Sequence, residues 1–215
     1  MTTETPQERL TLPQQRSRET RQRILDGALS VFSRLGYGHA SVDEVAREAG
    51  ISKGALYHHF ASKEDLFRAL LKDRVKGCQE HMLSAVGEIT SLPQAMRAAI
   101  GASFTSHHAD PQWTPMLMEF WSEAVRDVYA RSIVADSFRN CRQTVAQILR
   151  SGQAMGFVRP DLDADAVSVL YLAMVDGIRL QAQVDSSVDV EGAKDSMGDM
   201  IIEFVKPRSG GRERP

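Results

Sequence analysis

Residues 41–60 read SVDEVAREAGISKGALYHHF, and this segment is the most informative part of the 215-residue chain. Ser41 with Glu44 three residues later is the capping-box pattern, in which each side chain satisfies a backbone N–H of the first helical turn. Gly50 then marks a very short connection, after which Ser52 starts another helix. Two short helices joined by a glycine-containing turn are typical of a helix-turn-helix.

Helical periodicity continues on both sides of this segment, without an alternating strand pattern bounded by turn residues. A first helix precedes the segment and ends at Gly36, and Ser62 with Asp65 repeats the capping pattern at the start of a fourth, longer helix. Apolar periodicity predicts five more helices, at 92–108, 114–127, 129–155, 162–185 and 190–205. The sequence therefore predicts an all-α fold of about nine helices.

Composition places the chain among ordinary globular proteins, with 42% hydrophobic and 25% charged residues. Cys78 and Cys141 have no Cys or His neighbours at metal-ligand spacing, so we expect two free thiols. The adjacent pairs His58-His59 and His107-His108 point in different directions on a helix, so no metal site is expected. Neither a membrane-spanning stretch nor an apolar signal segment is found, which predicts a cytoplasmic location.

Charge is distributed unevenly along the chain. Residues 16–63 contain eight Lys and Arg against five Asp and Glu, a net charge of +3, which leaves −5 for the rest because the whole chain carries −2. A basic N-terminal region on an acidic body is compatible with nucleic-acid binding. Residues 1–15 have two prolines and little apolar content, and residues 207–215 are rich in Gly, Pro and Arg, so a disordered arm and a disordered tail are predicted.

The helix that starts at Ser52 has a surface suited to DNA. Its first turn offers free N–H groups and a partial positive charge to phosphates, and its small side chains permit close approach. Lys53 and Lys63 can neutralise phosphates, and Tyr57 can donate to phosphate oxygens or base edges. Tyr57 is also a candidate for inward packing, together with Leu56 and Phe60 on the same helix.

The run from Ser41 to Leu66 closely resembles the signature of the tetracycline-repressor (TetR) family. The resemblance covers about residues 18–70, and its most specific part is the Lys-Gly-x-Leu-Tyr-x-His-Phe core with Ser-Lys-Glu following it. It implies a DNA-binding domain over 16–63, with a recognition helix at Ser52 to Phe60. The positions that match DNA-contacting ones are Thr20, Arg21, Ser41, Val42, Ser52, Lys53, Gly54, Ala55, Tyr57, His58, His59 and Lys63.

The resemblance further implies that residues 64–206 bind a small molecule and dimerise through the last two long helices. The segments 118–124 and 175–178 are similar to a subgroup that includes the choline-responsive repressors, which does not identify a ligand. Large apolar residues at helical spacing predict a cavity for an apolar or amphipathic effector, although residues with this spacing can also form ordinary core. The predicted ligand residues are Phe104, Trp113, Met116, Leu117, Phe120, Trp121 and Tyr171.

A dimer seam is predicted on the last two helices, formed by Leu170, Met174, Ile178, Ala182, Met197, Ile201 and Phe204. The same residues could instead pack inside one subunit. Asp176 and Arg179 lie one turn apart and can form a surface ion pair or a buried polar anchor, of which the surface pair is favoured.

Two hypotheses about function follow. The preferred one is a homodimeric repressor that leaves double-stranded operator DNA when a small-molecule effector binds, with no cofactor and no membrane contact. The alternative is a helical carrier or enzyme for lipophilic molecules that keeps the N-terminal domain as a relic. Motifs such as G-x-S-x-G and H-E-x-x-H do not occur, so an enzyme is not predicted. The intact set of Lys53, Tyr57 and Lys63 favours the regulator.

Overall fold

The structure is a computed structural model that describes residues 11–87, 91–108 and 113–208. In these ranges the chain forms nine α-helices and no strand, which confirms the predicted fold class. The helices are α1 (Leu12–Leu35), α2 (Val42–Glu48), α3 (Lys53–His59), α4 (Lys63–Gly87), α5 (Leu92–His108), α6 (Trp113–Ala124), α7 (Val128–Ala154), α8 (Ala164–Val184) and α9 (Val190–Val205). Two compact units are present, one ending at Leu70 and the other beginning at Leu71.

Helix α1 begins earlier than the sequence indicated, because residues 12–15 belong to it rather than to a disordered arm. Pro13 occupies the first turn, where the N–H that proline lacks has no helical partner to lose. The Gln14 side chain accepts a hydrogen bond from the Thr11 backbone N–H at 2.8 Å, which caps the same turn. Residues 1–10 of the predicted arm, and residues 209–215 of the predicted tail, lie outside the described ranges.

Helices α2 and α3 begin at the serines that the sequence marked. The Ser41 hydroxyl accepts from the Glu44 N–H at 3.3 Å, and the Glu44 carboxylate accepts from the Ser41 N–H at 2.9 Å, as a capping box requires. The Ser52 hydroxyl accepts from the Ala55 N–H at 3.1 Å. Gly50 has a φ of +64°, a left-handed conformation that glycine adopts without steric cost. These local features set the sharp turn from α2 to α3.

An aromatic cluster forms the core of the N-terminal unit. The Phe67 ring lies 5.5 Å from that of Phe32 and 4.8 Å from that of Tyr37, in edge-to-face arrangements. Gly27 lets α1 approach α2 closely, because a Cβ at Gly27 would come within 3.1 Å of the Ala49 backbone nitrogen. The first helix therefore supports the helix-turn-helix directly.

The C-terminal unit is a bundle in which α8 packs against α7 and α9, α6 packs against α7 and α8, and α5 packs against α9. Helices α5 and α9 have the predicted bounds, and α6, α7 and α8 differ from prediction by one to three residues at each end. The bundle core includes Phe104, Leu149 and Val175, each at most 2% exposed. None of the described helices is long and apolar enough to span a membrane.

Candidate nucleic-acid interface and ligand cavity

Helix α3 has a buried side and an exposed side. Leu56 is fully buried and Phe60 is 3% exposed, so these two residues hold the helix against the N-terminal unit. Tyr57 is 45% exposed, so the inward packing considered for it is wrong. The exposed side consists of small, hydroxyl-bearing and basic residues, namely Ser52, Lys53, Gly54, Tyr57 and His58. Of the other predicted contacts in this helix, Ala55 and His59 are half-buried.

The basic groups of α3 differ in their partners and in the direction of their pKa shifts. The Lys53 ammonium lies 2.7 Å from a carboxylate oxygen of Asp43, and this hydrogen bond raises the pKa of Lys53. Both side chains are more than half exposed, so phosphate can compete with the carboxylate for the ammonium. Burial lowers the pKa of His59, and the neighbouring His58 and Arg21 lower it further. These effects favour the neutral form of His59.

Lys63, predicted to contact phosphate, is half-buried and hydrogen-bonded to the backbone. Its ammonium donates to the backbone carbonyls of Tyr37 at 2.9 Å, Ala40 at 3.3 Å and Gly38 at 3.5 Å. The ammonium also lies 4.4 Å from the centroid of the Tyr37 ring. All three donors are thus directed at the connection between α1 and α2. The structure places Lys63 as a support of that connection rather than as a free cation.

The remaining predicted DNA contacts lie at the ends of α1 and α2. Ser41 is exposed, although its hydroxyl also caps α2, and Val42 beside it is half-buried. Thr20 is half-buried, whereas Arg21 is exposed with its guanidinium carbon 5.1 Å from the centroid of the Phe60 ring. Arg21 therefore keeps hydrogen-bond donors available next to α3.

Arg23 was missed by sequence reasoning, and it holds the helix-turn-helix connection. Its guanidinium donates to the carbonyl of Ala49 at 2.6 Å and to that of Gly50 at 3.3 Å. These carbonyls lie at the end of α2, where the helix leaves acceptors without an internal partner. The two partners are 26 and 27 residues away in sequence, so no local pattern identifies this role.

A cavity of about 70 Å³ lies within the C-terminal unit, between α4, α5, α6, α7 and α8. Four of the seven predicted ligand residues line it, namely Trp113, Leu117, Trp121 and Tyr171. The other three are ordinary core residues away from the cavity: Phe104, Met116 and Phe120, each at most 2% exposed. The apolar side of a helix includes residues that face the core as well as residues that face the cavity, and this explains why three of the seven residues were assigned to the cavity wrongly.

Several polar residues of the cavity wall were not predicted as ligand residues. The hydroxyls of Ser103 and Tyr171 lie 2.7 Å apart, and Tyr171 also donates to the Ala99 carbonyl at 3.2 Å. Burial raises the pKa of Tyr171, so its hydroxyl stays protonated. The thiols of Cys78 and Cys141 are free, and burial raises the pKa of Cys141 to about 12. Neither hydroxyl nor Cys141 supplies a charge at neutral pH.

Asp176 and Arg179 form a buried pair in the cavity wall, so the favoured surface interpretation was wrong. Their closest charged atoms are 3.6 Å apart, and the side chains are 21% and 11% exposed. Arg179 also donates to the Ser103 carbonyl. Burial raises the pKa of Asp176 to about 6, although the positive charge of Arg179 opposes this effect. The sequence places both residues on one helix face but does not show that α8 turns that face inward.

The predicted dimer seam contains residues of two kinds. Met197 and Ile201 are 2% and 6% exposed and pack in the core of the C-terminal unit, so they are corrected to core residues. Leu170 and Phe204 are 56% and 49% exposed. Met174, Ile178 and Ala182 are half-buried. The exposed large apolar residues of α8 and α9, here called the α8–α9 face, are Val169, Leu170, Leu180, Val184, Met200 and Phe204.

Comparison with known proteins gives two family matches. Residues 24–70 match the model described as bacterial regulatory proteins, tetR family. Residues 93–204, about half of the chain, match the model described as BetI-type transcriptional repressor, C-terminal. Together these matches include both the helix-turn-helix and most of the helices around the cavity.

Individual relatives agree with these matches. The HTH-type transcriptional regulator UidR of Escherichia coli is 27% identical over 165 residues, covering 77% of this chain and 82% of UidR. The transcriptional regulator FadR from Bacillus subtilis, solved with stearoyl-CoA, has a TM-score of 0.74 at 19% identity, covering 86% of this chain and 98% of FadR. A protein from Saccharomonospora viridis, solved with choline, has a TM-score of 0.69 at 24% identity, covering 89% of this chain and 100% of that protein. The two solved structures show a shared fold.

Proposed function

Because this chain belongs to the tetR family of bacterial regulatory proteins, it is a DNA-binding transcriptional regulator, and we propose that it is a homodimeric repressor. In this proposal, its affinity for operator DNA falls when a small molecule enters the cavity of the C-terminal unit. The direction of regulation is supported by the repressor description of the match over residues 93–204. The effector is supported by a cavity with an apolar lining and a few polar groups, as small-molecule sites usually have.

The exposed side of α3 carries the DNA-binding part of the proposal. Its Lys53 ammonium and Tyr57 hydroxyl are accessible to phosphate and base edges, and a methyl group added at Gly54 would meet no neighbouring atom of the described chain within 4 Å. A helix surface that is small and donor-rich can approach the floor of the major groove. Leu56 and Phe60 anchor the opposite side, so the helix is presented as a rigid element.

A dimer would bring two copies of α3 to one DNA molecule. Helix-turn-helix dimers bind half-sites about 34 to 36 Å apart, which is one turn of DNA. The α8–α9 face supports such a dimer, because its six large apolar side chains are exposed in the single chain and a subunit contact would remove them from water. The resulting symmetry predicts a pseudo-palindromic operator.

Effector binding regulates the protein only if it favours one state over another. A ligand that binds two states equally shifts no equilibrium, whereas reversal from 99:1 to 1:99 needs about 5.5 kcal/mol of differential binding. We propose that the effector prefers a conformation with low operator affinity. Measuring operator affinity with and without a cavity ligand tests this coupling directly.

The DNA-binding proposal is tested by titrating the full chain against random duplex DNA at several salt concentrations. Phosphate contacts release counterions, so the logarithm of the affinity is expected to fall linearly with the logarithm of the salt concentration. Replacement of Lys53 by Ala is expected to weaken binding to every sequence and to reduce the slope by about one. Lys72→Ala is the matched control, since Lys72 is an exposed lysine of the C-terminal unit.

Two outcomes of this titration contradict the proposal. One is an absence of DNA binding at low salt, and the other is an affinity that does not change with salt. Either result would favour the alternative of a carrier or enzyme for lipophilic molecules. If the titration succeeds, selection of bound fragments from genomic DNA would identify the operator.

A further inference from the structure

Three charged side chains of the described residues line the cavity of the C-terminal unit, and their charges do not sum to zero. Arg74 comes from α4, and Asp176 and Arg179 come from α8. Two positive charges therefore face one negative charge. Each of these residues lies among apolar and aromatic groups, where charge is costly unless it is paired.

The negative charge is already used by one of the two arginines. Asp176 lies 3.6 Å from Arg179, and Arg179 also donates to the Ser103 carbonyl. The Arg179 guanidinium also lies 5.4 Å from the centroid of the Phe104 ring, which is core rather than cavity. Asp176 and Arg179 thus form a neutral unit in the wall.

Arg74 has no such counterpart among the residues that the structure describes. Its guanidinium carbon lies 5.3 Å from the centroid of the Trp113 ring, a distance at which the ring attracts the cation. Within the described ranges no carboxylate forms an ion pair with it. Its side chain is partly buried and contributes to the cavity lining. A guanidinium in this position can hold a carboxylate through two parallel hydrogen bonds.

We propose that the effector is an amphipathic organic anion whose acidic group binds Arg74 and whose apolar body lies against Trp113, Trp121 and Phe138. The inference rests on the proposed effector-binding function and identifies the chemical class of ligand for the same cavity. The apolar contacts supply burial, and the guanidinium supplies orientation and selectivity.

A cationic ligand such as choline fits the same wall less well. Aromatic rings attract cations, but the Trp113 ring already carries the Arg74 guanidinium. Asp176, the one carboxylate that the described residues contribute to the lining, is paired with Arg179. An added cation would therefore meet a net positive charge without a free counterion. The solved relative with choline shows that this fold accommodates such a ligand in another protein, not that this cavity does.

The test uses the full chain and ligands that differ only in charge. Two scaffolds provide matched sets: benzoate, benzamide and benzylamine, then phenylacetate, phenylacetamide and phenethylamine, with choline as a separate cation. The chain has two tryptophans, Trp113 and Trp121, and both line the cavity, so their fluorescence reports binding. We expect each carboxylate to bind about ten- to hundredfold more tightly than its amide and its amine.

Variants then locate the selectivity. Arg74→Gln is expected to remove the preference for carboxylate while amide binding is retained, and Arg74→Lys is expected to keep part of it because the charge remains. Lys72→Gln, an exposed change on the same helix, is the control and should bind as the wild type does. The wild-type ligand series needs no variant, so it decides the question even if Arg74→Gln fails to fold.

The results separate this inference from the proposed function. Equal or tighter binding of the amides, amines or choline would overturn the anion assignment, as would an absence of carboxylate binding at millimolar concentration. Salt-dependent DNA binding by the same preparation would leave the regulator proposal standing in that case. Conversely, carboxylate binding without any DNA binding would contradict the regulator and support the anion site alone.

Discussion

Lys63 shows how a side chain of the expected type can have a different task. Its ammonium contacts three carbonyls of the connection between α1 and α2, and a hydrogen bond from a charged donor is stronger than one from a neutral donor. A lysine at the start of a helix next to a DNA-binding motif suggests phosphate binding from its position alone. The folded structure assigns the charge to the protein itself.

Replacement of Lys63 by Met tests this role. The variant keeps an apolar stem but removes the charged donor that contacts the Tyr37 and Ala40 carbonyls, which should cost about 1 to 3 kcal/mol of unfolding free energy. The expected result is a lower thermal midpoint by circular dichroism, with no change in the salt dependence of DNA binding. Lys72→Met serves as the control. An unchanged midpoint together with a shallower salt slope would restore the phosphate role.

Gly50 and Gly54 offer a second comparison between neighbouring residues. Gly50 has a φ of +64°, so Gly50→Ala should destabilise the helix-turn-helix by about 1 to 2 kcal/mol. Gly54 lies inside α3 with open space around it, so Gly54→Ala should stabilise the helix by up to about 1 kcal/mol. The added methyl on the exposed side should nevertheless reduce DNA affinity. Thermal unfolding and DNA titration of both variants check this, and equal effects on stability would contradict it.

At the scale of whole helices, α9 has one buried side and one exposed side, and both carry large apolar residues. Met197 and Ile201 point into the bundle, while Met200 and Phe204 belong to the α8–α9 face. The sequence pattern alone mixed these sides, because both carry large apolar residues three or four positions apart. In the proposed dimer, α9 would contribute to the core with one side and to the subunit interface with the other.

This division predicts opposite results for two substitutions in α9. Phe204→Glu places a charge on the α8–α9 face and should dissociate the dimer while the protomer stays folded, because Phe204 is 49% exposed. Met197→Ala creates a cavity at a residue that is 2% exposed and should cost about 2 to 5 kcal/mol of protomer stability. Sedimentation velocity and thermal unfolding distinguish the two. A Phe204→Glu variant that remains dimeric would show that the subunits associate elsewhere.

For the molecule as a whole, Asp176 links stability to pH. Its pKa is raised to about 6 by burial, so the folded state keeps a proton that the unfolded state has already released. The stabilising effect of this proton is fully present below the unfolded pKa of about 4 and is lost as the pH rises to about 6. The loss has a limiting slope of about 1.4 kcal/mol per pH unit.

Asp176→Asn removes this titration and keeps the shape of the side chain. The stability of the wild type relative to the variant should therefore be higher at about pH 4 than at about pH 7, whatever constant difference the lost contact with Arg179 adds. Urea unfolding of both proteins over this range measures it. Parallel stability curves at all pH values would show that the carboxyl does not carry the raised pKa.

Local chemistry was sufficient to predict the order of the helices, most of their bounds and most of the exposed side of α3, although not the start of α1 or the exposure of Tyr57. The capping serines, Gly50 and the 3.6-residue apolar period act over a few residues, so they can be recognised from the sequence alone. The structure has the corresponding caps, turn and helices at α2, α3 and the later helices. Whether Lys53 is exposed also follows from the periodicity of a short helix. The identity of operator contacts stays a prediction.

Tertiary packing decided which neighbouring residues each side of a long helix contacts. Arg23 reaches Ala49, Lys63 reaches Tyr37 and Arg179 reaches Ser103, across 26, 26 and 76 residues of sequence. Such pairings depend on how helices rotate about their own axes, and periodicity identifies an apolar side without specifying the neighbour it meets. The charges of the cavity wall, above all Arg74 with no carboxylate partner among the described residues, could for that reason be found only in the folded chain.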